Sequence, residues 1–277
     1  MIYLYAYTNH KEDLDSLRRV KAIYDELKLN GIDAEILVNE YRAQLMAKEW
    51  GLPKATTIET IKDIDAVAKL NDIIVIDSPE ELEGKVLNYP ENFKAVIYIN
   101  STFKDITYSG AKVIDLYKDN KIVAPSIKSS IKEENKAVYI YGDSDPSKIV
   151  VENLRDLAKL DCDFYWGIYF YVKYEEKIKK SFNYIIESED YYELFQNYNI
   201  FVTSNFQIAI EALFNKKSLY FINLKKLDEK KINFIQENGG IVINISDNIK
   251  LDSLSKKENI NLNNTNNLIC DIISSYM

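Results

Sequence analysis

A strand–helix–strand pattern between residues 200 and 222 constrains the fold of this chain more than any other stretch. It consists of an apolar run, a polar turn, an amphipathic run and a second apolar run, at residues 200–202, 203–205, 206–214 and 219–222. A buried strand, a helix and another buried strand in this order form the βαβ unit of a parallel sheet. The chain is therefore predicted to be an α/β protein.

The same alternation runs through both halves of the chain. In the first half, strands are predicted at residues 2–7, 34–38, 72–76, 94–99 and 112–115, with helices at 14–27 and 42–50. In the second half, residues 137–141 begin a new series, and the aromatic segment 163–172 is predicted to be a strand. Because the pattern weakens around residues 120–136, we predict two domains, at residues 1–130 and 137–277.

Composition argues against several classes of function. The formal charge is −8, and no stripe of lysine and arginine is present to bind nucleic acid. No apolar run is long enough to span a membrane, and the N-terminal residues lack the basic region of a signal peptide, so a cytoplasmic protein is expected. Two isolated cysteines, Cys162 and Cys270, and the single histidine, His10, predict neither a disulfide framework nor a metal site.

Two polar turns are candidates for ligand binding. Thr203, Ser204 and Asn205 follow a predicted strand and precede a helix, where ligands of open α/β sheets bind. The turn at residues 142–146, Gly-Asp-Ser-Asp-Pro, has the same position after the strand at 137–141, although helix capping by Ser144 or Asp145 explains it equally well. Glu211 is the single acid on the helix after the first of these turns, where it faces either solvent or a bound polar group.

The two halves of the chain, each with polar turns expected to face a cleft, resemble the GT-B architecture. That architecture has two Rossmann-like domains with parallel sheets and a central cleft. The turn at residues 142–146 resembles the GGSDP turn of the nucleotide-sugar hydrolases of pseudaminic acid synthesis and related spore-coat polysaccharide proteins. Residues 203–213 resemble the motif of that family that ends in Glu-Ala-Leu, so that Glu211 matches the acid that binds the ribose of UDP.

The resemblance extends to the first half and implies a ligand. Arg19 matches the arginine of a family helix, Ser16 lies on the same helix, and Asp77 ends a similar internal strand. The resemblance implies UDP or a UDP-sugar as ligand, no cofactor, and a first-domain side of the cleft formed by Ser16, Arg19 and Asp77. The nucleotide side would comprise Gly142, Ser144, Asp145, Thr203, Ser204, Asn205 and Glu211.

The sequence differs from the family at positions that the family uses for catalysis and for binding the diphosphate. The family uses a histidine in its first loop, and Ser16 stands at that position. His10, Asp13 and Asp15 are the nearby candidates for a catalytic base, and spacing selects none of them. Asp143 replaces the second glycine of the GGSDP turn.

Three functions remain open on this basis. The first is a nucleotide-sugar-binding protein linked to surface-glycan biosynthesis that lacks the hydrolase reaction. The second is an active, metal-independent UDP-sugar hydrolase or glycosyltransferase. The third is a non-catalytic scaffold that forms a homodimer or binds a protein partner through the aromatic segment at 164–171.

Overall fold

The computed structural model describes residues 1–9, 13–53, 55–128, 136–170, 172–247, 250–251 and 262–277. The chain divides into two units. The first comprises Met1–Pro125 together with Leu262–Met277, and the second comprises Ser126–Asn261. Among the described residues, no helix has the length and apolarity needed to cross a lipid bilayer.

The first unit is built on a six-stranded parallel sheet. Its elements are β1 (Ile2–Ala6), α1 (Asp15–Leu29), β2 (Glu35–Val38), α2 (Tyr41–Glu49), β3 (Thr56–Thr57), β4 (Ile73–Asp77), α3 (Tyr89–Asn92), β5 (Ala95–Asn100), β6 (Lys112–Asp115) and β7 (Lys121–Ile122), with 3-10 helices at Ile61–Ala66, Gly84–Asn88 and Lys118–Asn120. The strand order is β3-β2-β1-β4-β5-β6. Strands β1, β4 and β5 are buried along their whole length, which is why they are near-continuous apolar runs.

The second unit repeats this plan. Its elements are β8 (Ala137–Ile140), α4 (Ile149–Glu152), α5 (Leu154–Leu157), β9 (Asp163–Tyr165), α6 (Glu175–Lys179), β10 (Ile185–Ile186), α7 (Tyr191–Asn197), β11 (Ile200–Thr203), α8 (Phe206–Phe214), β12 (Ser218–Ile222), α9 (Glu229–Glu237) and β13 (Ile241–Ile243), with 3-10 helices at Ala158–Leu160, Val172–Tyr174 and Ser188–Asp190. The strand order, β10-β9-β8-β11-β12-β13, is again that of a Rossmann fold.

The predicted α/β class is therefore confirmed, as two Rossmann-like units with parallel sheets. The βαβ unit at residues 200–222 is present, because β11 and β12 are parallel neighbours joined through α8. The predicted cleft concerns the arrangement of the two units and stays a prediction.

The C-terminal segment returns to the first unit, although the sequence analysis assigned it to the second domain. Strand β14 (Asn263–Asn264) pairs in parallel with β7, and α10 (Asn266–Tyr276) packs on α1. The side-chain amides of Asn264 and Asn266 each donate to the carbonyl of Ala124 at 3.0 Å. The asparagine-rich sequence before this helix carries no hydrophobic pattern, so nothing in it indicated the unit to which the helix would return.

The aromatic segment at 163–172 contains a strand of three residues, β9, where a strand of ten was predicted. The chain leaves the sheet at Gly167, which lies so close to the turn after β8 that a Cβ atom there would be 2.3 Å from Cα of Asp143. Phe164 and Phe170 are buried and contact each other edge to face, with ring centroids 5.8 Å apart. These rings belong to the core, so a homodimer or protein partner stays a prediction without support from this segment.

Candidate functional site

The two candidate turns of the second unit lie side by side. Strands β8 and β11 are parallel neighbours, with Ile140 opposite Thr203, so their carboxyl ends meet at one edge of the sheet. The strand order reverses between these two strands, and open α/β sheets bind ligands at such a switch point. This edge thus brings together the six turn residues of the predicted nucleotide site, Gly142, Ser144, Asp145, Thr203, Ser204 and Asn205.

The turn after β11 is held by its own side chains. The hydroxyl of Thr203 donates to the carbonyl of Ile140 at 2.6 Å and accepts from the backbone N–H of Asn205 at 3.0 Å. Asn205 caps α8, because its Oδ1 accepts from the N–H of Ile208 at 2.9 Å. The hydroxyl of Ser204 lies 3.3 Å from that of Tyr139. These bonds fix the backbone where α8 begins.

The turn after β8 combines a glycine with two buried acids. Gly142 has φ 146°, in the region that only glycine adopts readily. Asp143 accepts from the hydroxyl of Tyr165 at 3.2 Å. Asp145 accepts from the N–H groups of Ile149 and Val150, each at 2.8 Å, so the capping role predicted for it is present. Burial raises the pKa of Asp145, and its backbone hydrogen bonds and the nearby Lys225 oppose that rise.

Glu211 lies inside the second unit and is fully buried. Its Oε2 accepts a 2.7 Å hydrogen bond from the hydroxyl of Tyr191 on α7, and its Oε1 accepts a 2.9 Å bond from the amide of Gln207 on α8 itself. The sequence left open whether this acid faces solvent or a polar group, and the structure places polar side chains against both oxygens. A ligand hydroxyl that approaches Oε1 would have to replace the Gln207 amide.

Sequence reasoning missed two lysines at this edge. The segment between β12 and α9, together with the first turn of α9, carries Lys225 and Lys231. The ammonium of Lys225 lies 4.8 Å from the ring centroid of Tyr141, and that of Lys231 lies 5.4 Å from the ring centroid of Phe206. Each lysine therefore flanks one of the two turns. The signal that could have found them is their position in the segment that follows β12 and opens α9, since the carboxyl end of β12 lies at the same sheet edge.

The three first-domain residues predicted from the resemblance also come together. Nε and Nη2 of Arg19 lie 2.7 Å and 2.8 Å from the two oxygens of Asp77, the last residue of β4, and Nη2 also donates to Ser16 Oγ at 3.1 Å. Burial opposes the charge of Arg19, but Asp77 outweighs that effect and raises the pKa of the guanidinium. Arg19 and Asp77 form a buried, bidentate ion pair that links α1 to the end of β4.

Comparison with known proteins shows the fold. A structure of UDP-GlcNAc 2-epimerase from Methanocaldococcus jannaschii superimposes with a TM-score of 0.55 and 11% sequence identity, covering 99% of both chains. The same enzyme in complex with UDP-GlcNAc and UDP gives 0.54 and 12%, covering 99% of this chain and 100% of that one. The chain has a GT-B-type fold. No protein-family model matches the sequence, and no curated protein sequence matches it significantly.

The structure does not single out a catalytic base among the three candidate residues, His10, Asp13 and Asp15. Asp15 opens α1, and its Oδ1 lies 3.3 Å from Nη1 of Arg18. Asp13 is buried and has a left-handed backbone, with φ 56°. His10 lies outside the described residues. A catalytic role for any of the three stays a prediction.

Proposed function

We propose that this protein binds a nucleotide sugar at the carboxyl ends of β8 and β11, and that it does not hydrolyse it. The observation that carries the proposal is the position of Glu211 on α8, the helix that begins at the switch point of the second sheet. Tyr191 holds Oε2 of this buried side chain, so a ligand hydroxyl such as that of a ribose would bind at Oε1 in place of the Gln207 amide. UDP-sugars are the first ligand class to test.

The diphosphate of such a ligand needs positive charge and N–H donors. The N-terminus of α8 provides a partial positive charge directly after the turn of Thr203, Ser204 and Asn205. Lys225 and Lys231 provide full charges on either side, each already over an aromatic ring. Asp143 and Asp145 oppose a polyanion at the same edge, which is why the two lysines are needed to balance the local charge.

The absence of hydrolysis rests on Ser16. This residue stands where the resembling family has its histidine, and a serine hydroxyl does not act as a general base near neutral pH as an imidazole does. Its Oγ accepts from Arg19, whose guanidinium is engaged by Asp77. We infer a nucleotide-sugar-binding protein of surface-glycan biosynthesis rather than a hydrolase.

Isothermal titration of UDP and UDP-GlcNAc into the full chain tests this proposal, followed by analysis of the mixture for free sugar. We expect binding that Glu211→Gln weakens, and no product. Glu237→Gln is the matched control, because Glu237 is an exposed acid on the neighbouring helix α9. No heat at millimolar ligand from a folded sample would overturn the binding, and release of free sugar would overturn the inference that the reaction is absent.

A further inference from the structure

A cavity lies at the opposite edge of the second sheet from the candidate nucleotide site. Because β8, β9, β10 and β11 are parallel, the residues at their amino ends meet there. The cavity has a volume of about 400 Å³, which is within the range of small-molecule sites. Its charged and aromatic lining residues are Lys136, Asp163, Tyr184, Asp190, Glu193 and Tyr198.

The lining carries an excess of negative charge. Asp163 is 8% exposed, and its Oδ2 accepts a hydrogen bond from the hydroxyl of Tyr198. No described residue donates to its Oδ1. Asp190 and Glu193 are exposed at the rim, and neither forms an ion pair within the described part of the chain. Three carboxylates against one lysine favour a cationic ligand.

The chain itself shows which kind of cation fits. The ammonium of Lys136 lies 4.6 Å from the ring centroid of Tyr198 and 4.0 Å from Oδ2 of Asp163. An aromatic face beside a carboxylate is the arrangement that recognises organic ammonium groups. A hard metal ion prefers several oxygen ligands and gains little from the ring. Lys136, whose side chain is 46% exposed, thus occupies an ammonium position that a ligand can take.

We propose that this cavity binds a small organic diamine. One ammonium replaces that of Lys136 between Asp163 and the face of Tyr198, and the other lies at the rim between Asp190 and Glu193. This inference is independent of the nucleotide-sugar proposal, because it uses none of the residues at the carboxyl edge.

The test is titration of putrescine into the full chain, with butylamine as the comparison that carries a single charge. Lys136→Met is expected to bind putrescine about threefold or more tightly than the wild type, because it removes a competing ammonium. The double variant Asp190→Asn, Glu193→Gln is expected to bind about tenfold less tightly and to lose the preference for putrescine over butylamine. All three altered side chains are at least partly exposed, so these variants keep the fold.

Glu237→Gln removes one carboxylate charge at an exposed position of α9, outside the cavity lining, and is expected to bind as the wild type does. The proposal is overturned if Lys136→Met binds no more tightly, or if Glu237→Gln weakens binding as much as the double variant does. It is also overturned if Mg²⁺ binds and putrescine does not.

Discussion

The hydroxyl of Tyr191 donates a 2.7 Å hydrogen bond to Oε2 of Glu211 in the interior of the second unit. This bond joins α7 to α8 and orients a carboxyl group that is fully buried in the structure. It therefore links the stability of the unit to the orientation of the acid proposed to bind a ribose.

Tyr191→Phe removes this donor and leaves the ring in place. We expect the free energy of unfolding to fall by about 1–3 kcal/mol, the usual cost of leaving a buried acceptor without its donor. Urea unfolding followed by circular dichroism measures the change. Tyr184→Phe, at a side chain that is 64% exposed, is the control and is expected to leave stability unchanged. Equal stability of the two variants would show that the Tyr191 bond contributes little.

The ion pair of Arg19 and Asp77 gives a second stability prediction. Arg19→Met leaves the Asp77 carboxylate buried without its partner, so we expect a loss of about 3–5 kcal/mol in urea unfolding. The double variant Arg19→Met, Asp77→Leu removes both charges and is expected to be more stable than the single variant. If the double variant is the less stable of the two, the pair is not coupled as the geometry indicates.

These two clusters also show how far the sequence could predict the structure. The alternation of apolar runs was enough for both Rossmann-like units, because buried parallel strands need no other signal. The resemblance grouped Ser16, Arg19 and Asp77, but the sequence separation of 58 positions between Arg19 and Asp77 concealed their pairing. Lys225 and Lys231 were missed because ring contacts across a sheet edge leave no periodic trace in the sequence. The return of α10 to the first unit was missed because the asparagine-rich sequence before it carries no hydrophobic pattern.

The carboxyl group of Asp145 is expected to titrate above its ordinary pKa of 3.8. Burial favours its neutral form, so its contribution to stability is present below the unfolded-state pKa and is lost as the pH rises through the folded-state pKa. Lys225→Gln should raise this pKa further, since Lys225 lowers it. Carboxyl-carbon NMR of both proteins measures the two midpoints. A midpoint that does not change in Lys225→Gln would contradict the proximity of the two groups.

Lys225 and Lys231 are expected to contribute to binding of the phosphates of the ligand and not to binding of its nucleoside. The double variant Lys225→Gln, Lys231→Gln should bind UDP about tenfold less tightly, and binding of UDP to the wild type should weaken as salt is added. Uridine, which has no phosphate, should bind both proteins alike. Lys230→Gln, which removes one positive charge at an exposed position of α9, is the control and is expected to bind UDP as the wild type does. An equal loss for uridine and UDP would show that the variant damages the site as a whole.

Backbone-amide NMR during a titration with UDP tests the central claim most directly. The claim predicts that the amide resonances of Gly142, Ser144, Ser204 and Phe206 in the second unit shift in a saturable way. The amide resonances of the first-unit strands β2 and β3 should not shift. The same titration of Glu211→Gln should need more UDP to reach the same shifts. Shifts confined to other parts of the chain, or no shifts at millimolar UDP, would contradict a nucleotide site at the carboxyl ends of β8 and β11.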